Sequence, residues 1–330
     1  MLTMKNKIIC VSVIAIFMSI TSGLLIAQDY HWYKGNTHCH TTNSDGDELP
    51  RRVMRWYKDH EYNFVAITDH DYYTDITHLD TDRNDNFILI PGLEVTDSFE
   101  KARLHVNGLN VRKTLLPRGG KNIVETLQND IDLINEAGGI AQINHPNWKW
   151  SINEDHMAQL KDVFLFEVYN INMDSNNFGA GGYPGTEEIW DRLLSKNFKM
   201  YGVASDDAHT YTGEFSFEKS IPGKGWIMVR ANELTVEAII DALKRGDFYA
   251  STGVELLDVK ITDDAYRIEI KPDKYLKYST YFIGKDGKIL KEDHNPTAIY
   301  RFKGDELYVR ARVICTSGAF AVTQPYFQKK

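Results

Sequence analysis

The sequence predicts an α/β fold followed by a small antiparallel β domain, and three observations carry that expectation. From residue 32 to about residue 249, short apolar runs alternate with helical patterns. The helical patterns stop at glycines, at Gly138-Gly139 and at Gly246. Beyond Gly253 the runs become short and alternating, with turns such as Lys285-Asp286-Gly287 between them. The first texture points to an α/β barrel or a doubly wound sheet, the second to an antiparallel sandwich.

The leader comes first. Lys5 and Lys7 precede an apolar run over residues 8–20, then Thr21, Ser22 and Gly23, then apolar residues to Ala27. A basic start, an apolar centre and a small residue at the end read as a secretory signal peptide over residues 1–27. An uncleaved anchor helix is the alternative reading, since the stretch is about one bilayer long. The interrupting serine, threonine and glycine favour cleavage. The expected mature protein is exported, periplasmic or secreted, without a stable membrane span. Lys5 and Lys7 are the only charges in the leader, so its loss takes the formal charge from −8 to −10. That balance argues against nonspecific nucleic-acid binding. The mature chain keeps Cys39 and Cys315, too few for a disulfide framework.

Strands are expected over residues 63–68, 87–90, 103–106, 140–143, 164–169 and 200–204. Most are nearly continuous apolar runs, as in strands buried on both faces of a parallel sheet. Helices are expected over residues 122–137, 186–198 and 235–245, the second opening on a Thr-Glu-Glu cap. Residues 28–252 would form this unit and residues 253–330 the β domain, with strands over 255–260, 266–270, 279–283, 298–302, 307–314 and 319–323.

The chemistry gathers at the expected strand ends. In extended backbone, residues two apart point the same way, so His38 and His40 face one side and Cys39 the other. Asp45 follows in an acidic, glycine-containing turn. His70 ends the next strand, Glu94 follows another, and His105 sits inside an apolar run. His145 belongs to an Asn-His-Pro stretch, and Asp207 and His209 repeat the two-apart spacing. Asp206 would point away from them, and is a candidate to orient a ligand histidine. Six of the eleven histidines therefore fall at strand ends or inside a strand, the face where α/β barrels collect catalytic residues.

The order of these motifs resembles the PHP superfamily, the polymerase and histidinol phosphatase family of metal-dependent phosphoesterases. Within it, the sequence is similar to an exported branch with a trailing β domain that includes carbaryl-hydrolase-like proteins. The stretches Asn144-His145-Pro146-Asn147-Trp148 and Phe248 to Gly253 carry that likeness, with the Val309-Arg310 strand. The resemblance implies a distorted (β/α)7 barrel holding a trinuclear site. His38, His40 and Asp207 would bind one metal and share Glu94 with a second. His105 and His145 would complete the second, and Asp45, His70 and His209 would bind the third. Nitrogen and carboxylate donors suit divalent zinc, manganese or iron, two or three ions in all.

The implied reaction is attack of metal-bound hydroxide on a small phosphomonoester or phosphodiester, with Glu94 as the bridging ligand. The same site could cleave a carboxylic ester or carbamate. A noncatalytic metal-stabilised module and a sugar-binding protein are the other readings, the latter requiring an exposed aromatic strip such as Tyr275, Tyr278, Tyr281 and Tyr300. Residues 171–185, rich in asparagine and glycine, read as a substrate loop or a plain connector. Glu167, Asn170, Arg103 and Trp148 are further candidates to line the pocket.

Overall fold

The computed structural model describes residues 30–80, 86–212, 216 and 219–328. The expected leader lies outside them. Among the described residues, no helix is long and apolar enough to cross a membrane.

The chain opens with β1 (His31–Asn36), α1 (Pro50–Asp59), β2 (Phe64–Ala66) and β3 (Ile88–Ile90), then an antiparallel pair, β4 (Gly92–Phe99) and β5 (Ala102–Leu109). Next come α2 (Ile123–Glu136), β6 (Ile140–Ile143), α3 (Glu154–Met157), β7 (Leu165–Asn170), α4 (Thr186–Ser195) and β8 (Tyr201–Ser205). Then follow β9 (Trp226–Ala231), α5 (Val236–Arg245) and β10 (Phe248–Ser251).

The helices follow local rules. In α2, Leu127, Ile131 and Ile134 are buried one turn apart, and the Asn122 side chain caps the start by accepting the Glu125 N–H. Thr235 caps α5 in the same way, and Gly246 ends it with φ of 73°. The expected Thr-Glu-Glu cap of α4 is not what forms. Its N-cap is Gly185, and the Thr186 hydroxyl donates instead to the Val168 carbonyl. α1 was not expected, although Pro50 at its first turn and buried Val53, Met54 and Tyr57 mark it.

Pairing departs from an all-parallel sheet. β4, β5, β6, β7 and β8 form one five-stranded sheet, antiparallel across β4–β5–β6 and parallel across β6–β7–β8. β3, β2, β1, β9 and β10 lie in a second sheet. Two isolated parallel bridges join the sheets, His70 with Glu94 and Cys39 with Ala208. Both bridges fall at the end where the histidines gather.

The C-terminal strands are β11 (Leu256–Ile261), β12 (Ala265–Ile270), β13 (Tyr278–Gly284), β14 (Lys288–Asp293), β15 (Thr297–Arg301), β16 (Tyr308–Cys315), β17 (Phe320–Thr323) and β18 (Tyr326–Phe327). β17 pairs with β10, so the second sheet continues from the N-terminal part into these strands. The three-stranded sheet β11–β12–β15 packs against it through Tyr266, Ile268 and Tyr300 on one side and Phe282, Val309 and Val313 on the other. Tyr300 is therefore core, while Tyr275 is 80% exposed, so no aromatic strip forms there.

α4 is tied to this layer by charge. Buried Arg310 donates from Nε and Nη2 to the two oxygens of Asp191, at 2.8 and 2.6 Å, and from Nη1 to Glu187 at 2.9 Å. The Tyr308 hydroxyl donates to Asp191 as well, at 2.8 Å.

Candidate metal centre

All nine side chains singled out in the sequence converge where the two bridges join the sheets. Glu94 is the hub. Its Oε1 lies 3.1 Å from His105 Nδ1, 3.4 Å from His38 Nε2 and 3.6 Å from His145 Nε2. Its Oε2 lies 3.0 Å from His70 Nδ1 and 3.4 Å from His40 Nε2. Asp207 Oδ1 stands 3.1 Å from His40 Nε2 and 3.2 Å from His38 Nε2. On the outer side, Asp45 Oδ1 is 3.3 Å from His209 Nε2, and Oδ2 is 3.6 Å from His70 Nε2.

Four sets of donors are compact enough to share an ion: His40, Asp45, His70 and His209; His38, His145 and Asp207; His38, His40 and Glu94; His70, Glu94 and His105. These sets overlap, and they differ from the implied partition in three places. His40 joins the outer set of Asp45, His70 and His209. His145 groups with His38 and Asp207, and His70 reaches both the outer set and the Glu94–His105 set.

Local backbone explains how a short stretch delivers so many donors. β1 ends at Asn36, and the Cys39–Ala208 bridge holds the following residues extended. His38 and His40 thus face the cluster together, while Cys39 turns into the core beside Val65 and Ile67. The acidic turn then folds back, with the Ser44 and Gly46 amides both donating to the Thr41 carbonyl. A Cβ at Gly46 would fall 2.6 Å from the His40 carbonyl oxygen, so only glycine lets the turn close this tightly. Buried Asp69 pins the turn by accepting from the Thr41 amide and hydroxyl and from the Ser44 hydroxyl, at 2.7 to 2.8 Å. His145 and Asp207 both take left-handed backbone, with φ of 25° and 43°, a strained choice for residues with a Cβ.

The surrounding groups fix the rings. Glu167, fully buried, takes His38 Nδ1 at 2.7 Å and the His145 main-chain N–H at 2.7 Å. That bond makes Nδ1 of His38 the protonated nitrogen and leaves Nε2 facing Glu94 and Asp207. His209 Nδ1 donates to the Asp207 carbonyl at 2.7 Å, which presents Nε2 to Asp45. Asn144 donates to Glu94 Oε1 at 2.7 Å, and Asn170 donates to Glu167 and to Asp207 Oδ2 at 2.9 and 3.1 Å.

Asp206 does not orient a histidine. Its carboxylate accepts the main-chain N–H groups of Gly223, Lys224 and Gly225, with Asn36 Nδ2 and the Tyr57 hydroxyl. It anchors a loop instead, and burial pushes its carboxyl up to about 6 despite those bonds. Glu167, named in the sequence only as a possible pocket residue, does the orienting. Arg103 is exposed and lies outside the pocket lining. Trp148 does line it, packing edge-on against His105 and His145 with centroids 5.2 Å away in each case. Asn172, Asp174 and Ser175 from the 171–185 segment line it too. Asn147 pins that segment by donating to the Asn176 and Pro184 carbonyls.

The residues fit cations. Glu94 Oε2 is buried without a hydrogen-bond partner although His70 Nδ1 is 3.0 Å away, because that nitrogen is engaged with Thr96 Oγ1 at 2.6 Å. The rings also titrate in opposite directions. Burial lowers His40, with His209 adding to the effect. Burial opposes charge on His70 too, yet Glu94 and Asp45 raise it to about 11. Glu94 and Asp207 stay well below the usual carboxylate range despite burial, held there chiefly by His38. So many lone pairs and carboxylates in one buried volume suit divalent ions better than a set of shared protons.

No family model matches the chain, and no curated protein matches it in sequence. Three solved structures are similar to it over part or most of the chain. A two-domain protein from Bacteroides vulgatus containing a predicted PHP-like metal-dependent phosphoesterase is 17% identical, with TM-score 0.49, covering 91% of this chain and 95% of its own. A protein from Bifidobacterium adolescentis assigned as a metal-dependent phosphoesterase is 14% identical, with TM-score 0.40, covering 57% and 92%. An amidohydrolase from Chromobacterium violaceum, with bound sulfate and no metal, is 14% identical, with TM-score 0.39, covering 55% and 92%. Similarity of this order does not carry function across, which must be argued from the site itself.

Proposed function

We propose that this chain is a metal-dependent hydrolase of the PHP type that cleaves a small phosphomonoester or phosphodiester. The observation that supports this reading is the convergence of eight imidazoles and carboxylates around Glu94, in four overlapping sets each compact enough for an ion. His38, His40, Asp45, His70, Glu94, His105, His145, Asp207 and His209 are the ligands on this reading. Divalent ions held there would lower the pKa of water at the site and offset charge developing on the scissile ester.

The chain's own residues do the rest. Glu94 spans the cluster with one oxygen toward His38, His105 and His145 and the other toward His40 and His70. Glu167, Asn144 and Asn170 hold donors in place from behind. Trp148 and the 171–185 segment wall a cavity of about 180 Å³ over the cluster, room for a small ester group. The seven strands β1, β2, β4, β5, β6, β7 and β8, linked by ladders and the two single bridges, are read as the distorted PHP barrel. Residues 1–27 are read as an export leader and the C-terminal strands as a packing layer.

The second reading, hydrolysis of a carboxylic ester or carbamate, is favoured by one feature: among the described residues, no lysine or arginine lines the cavity. Metal analysis of the purified protein and its His40→Ala variant, with turnover of nitrophenyl phosphate, bis-nitrophenyl phosphate and a naphthyl carbamate, tests both. The expected result is bound divalent metal and phosphoester turnover, both lost in the variant and in chelator-treated wild type. Metal without turnover of any ester would leave a noncatalytic module. Unchanged turnover in His40→Ala would overturn catalysis at this centre.

A further inference from the structure

The cavity over the cluster has an outer wall that the proposed chemistry does not use. Asp174 is exposed, lines the cavity and belongs to none of the ion-binding sets, so its charge is not spent on a metal. One of its oxygens accepts the Trp148 indole N–H at 2.7 Å, which fixes the carboxylate beside the opening. Among the described residues, histidines apart, every charged group lining the cavity is an acid, namely Asp45, Glu94, Asp174 and Asp207. Lys149, the cation packed nearby with Nζ 4.5 Å from the Trp148 ring centroid, is not among the lining residues.

The segment that carries Asp174 also exposes apolar surface. Met173, the neighbour of Asp174, is 66% exposed, and Phe178 in the same segment is 73% exposed. Trp150 and Tyr183 stack at 4.5 Å while remaining 38% and 56% exposed. A segment that lines the cavity through Asn172, Asp174 and Ser175 and also displays three large apolar side chains is more than a plain connector.

We propose that Asp174, positioned by Trp148, determines specificity: it admits esters whose leaving group is uncharged, and rejects those carrying a second anion. This rests on the hydrolase reading above and narrows its substrate class. The physical reason is simple. An ester group can be drawn inward to the cluster, but a further carboxylate or phosphate on the leaving side would sit against Asp174. At about 6 Å in a half-solvated opening, that repulsion is worth roughly a factor of ten in affinity.

The test uses matched pairs on the metal-loaded protein. Dissociation constants for phenylphosphonate and 4-carboxyphenylphosphonate are measured by calorimetry, and kcat/KM for the two corresponding phenyl phosphates. Wild type should prefer the uncharged member roughly tenfold in both, with the ratio shrinking as salt is added. Asp174→Asn keeps an acceptor for the Trp148 indole and removes only the charge, so the ratio should fall to about twofold or less. A wild-type ratio near one, or a ratio that Asp174→Asn leaves unchanged, overturns this inference while turnover persists. Absence of turnover and of phosphonate binding in wild type would instead overturn the hydrolase reading, and this inference with it.

Discussion

Asp130 offers a sharp test of the packing described above. It lies on the buried face of α2, its side chain is fully buried, and neither carboxylate oxygen has a hydrogen-bond partner. Burial, reinforced by the nearby Asp97, pushes it up to about 8. In the unfolded chain the same group titrates near ~3.9. Between those values the native state holds a proton that the unfolded state has released, so stability falls as pH rises through the window. Each pH unit costs about 1.4 kcal/mol, an upper limit of about 4 kcal/mol by pH 7. Relaxation and water entry reduce this, to about 1–3 kcal/mol. Asp130→Asn is neutral throughout and should therefore be more stable than wild type by that amount at pH 7, with the gap closing toward pH 4. Urea unfolding of both proteins across that range measures it, and titrations elsewhere cancel in the difference. A stability difference that stays flat over the range would refute the claim that a buried, unpartnered carboxyl sits there.

Two further outcomes follow from the contacts. Glu167→Gln keeps the size of the group that takes His38 Nδ1 but loses its charge, so metal affinity and turnover should fall roughly 10–100-fold. Metal titration with parallel kinetics checks this, and wild-type values for both would remove Glu167 from its orienting role. Asp191→Ala leaves buried Arg310 without its bidentate partner, and should cost about 3–5 kcal/mol in denaturant unfolding. Replacing both residues by apolar ones of similar size should recover much of that loss, and a double variant no better than the single one would count against the pairing as its source.

How much of this was legible in the sequence varies with the range of the interaction involved. α2 and α5 were readable because their apolar spacing, caps and terminal glycines are local. The same holds for the C-terminal strands 265–270 and 297–301, whose alternation survives in the structure. Strand direction was not readable. The run through Arg103-Leu104-His105-Val106 looks the same in a parallel or an antiparallel ladder, and only pairing with β4 and β6 decides it. β4 itself was hidden because Thr96, Asp97 and Ser98 break the apolar run that Leu93 and Val95 begin.

Residue type and two-apart spacing alone determined which side chains are suited to a metal and that His38 and His40 face the same way. Chemistry of that kind is a property of the side chains, and residues two apart on extended backbone share a face. Tertiary structure decided everything that depends on approach through space: that Glu94 is central, that His70 reaches two donor sets, that Glu167 rather than Asp206 steadies a histidine, and that Asp174 meets Trp148 at the opening. Asp174 and Trp148 lie 26 residues apart in the chain, and the Asp206–Asn36 and Glu167–His38 bonds each span more than a hundred. Contacts of such length arise only when two sheets are brought together end to end, and no local pattern encodes where they will touch.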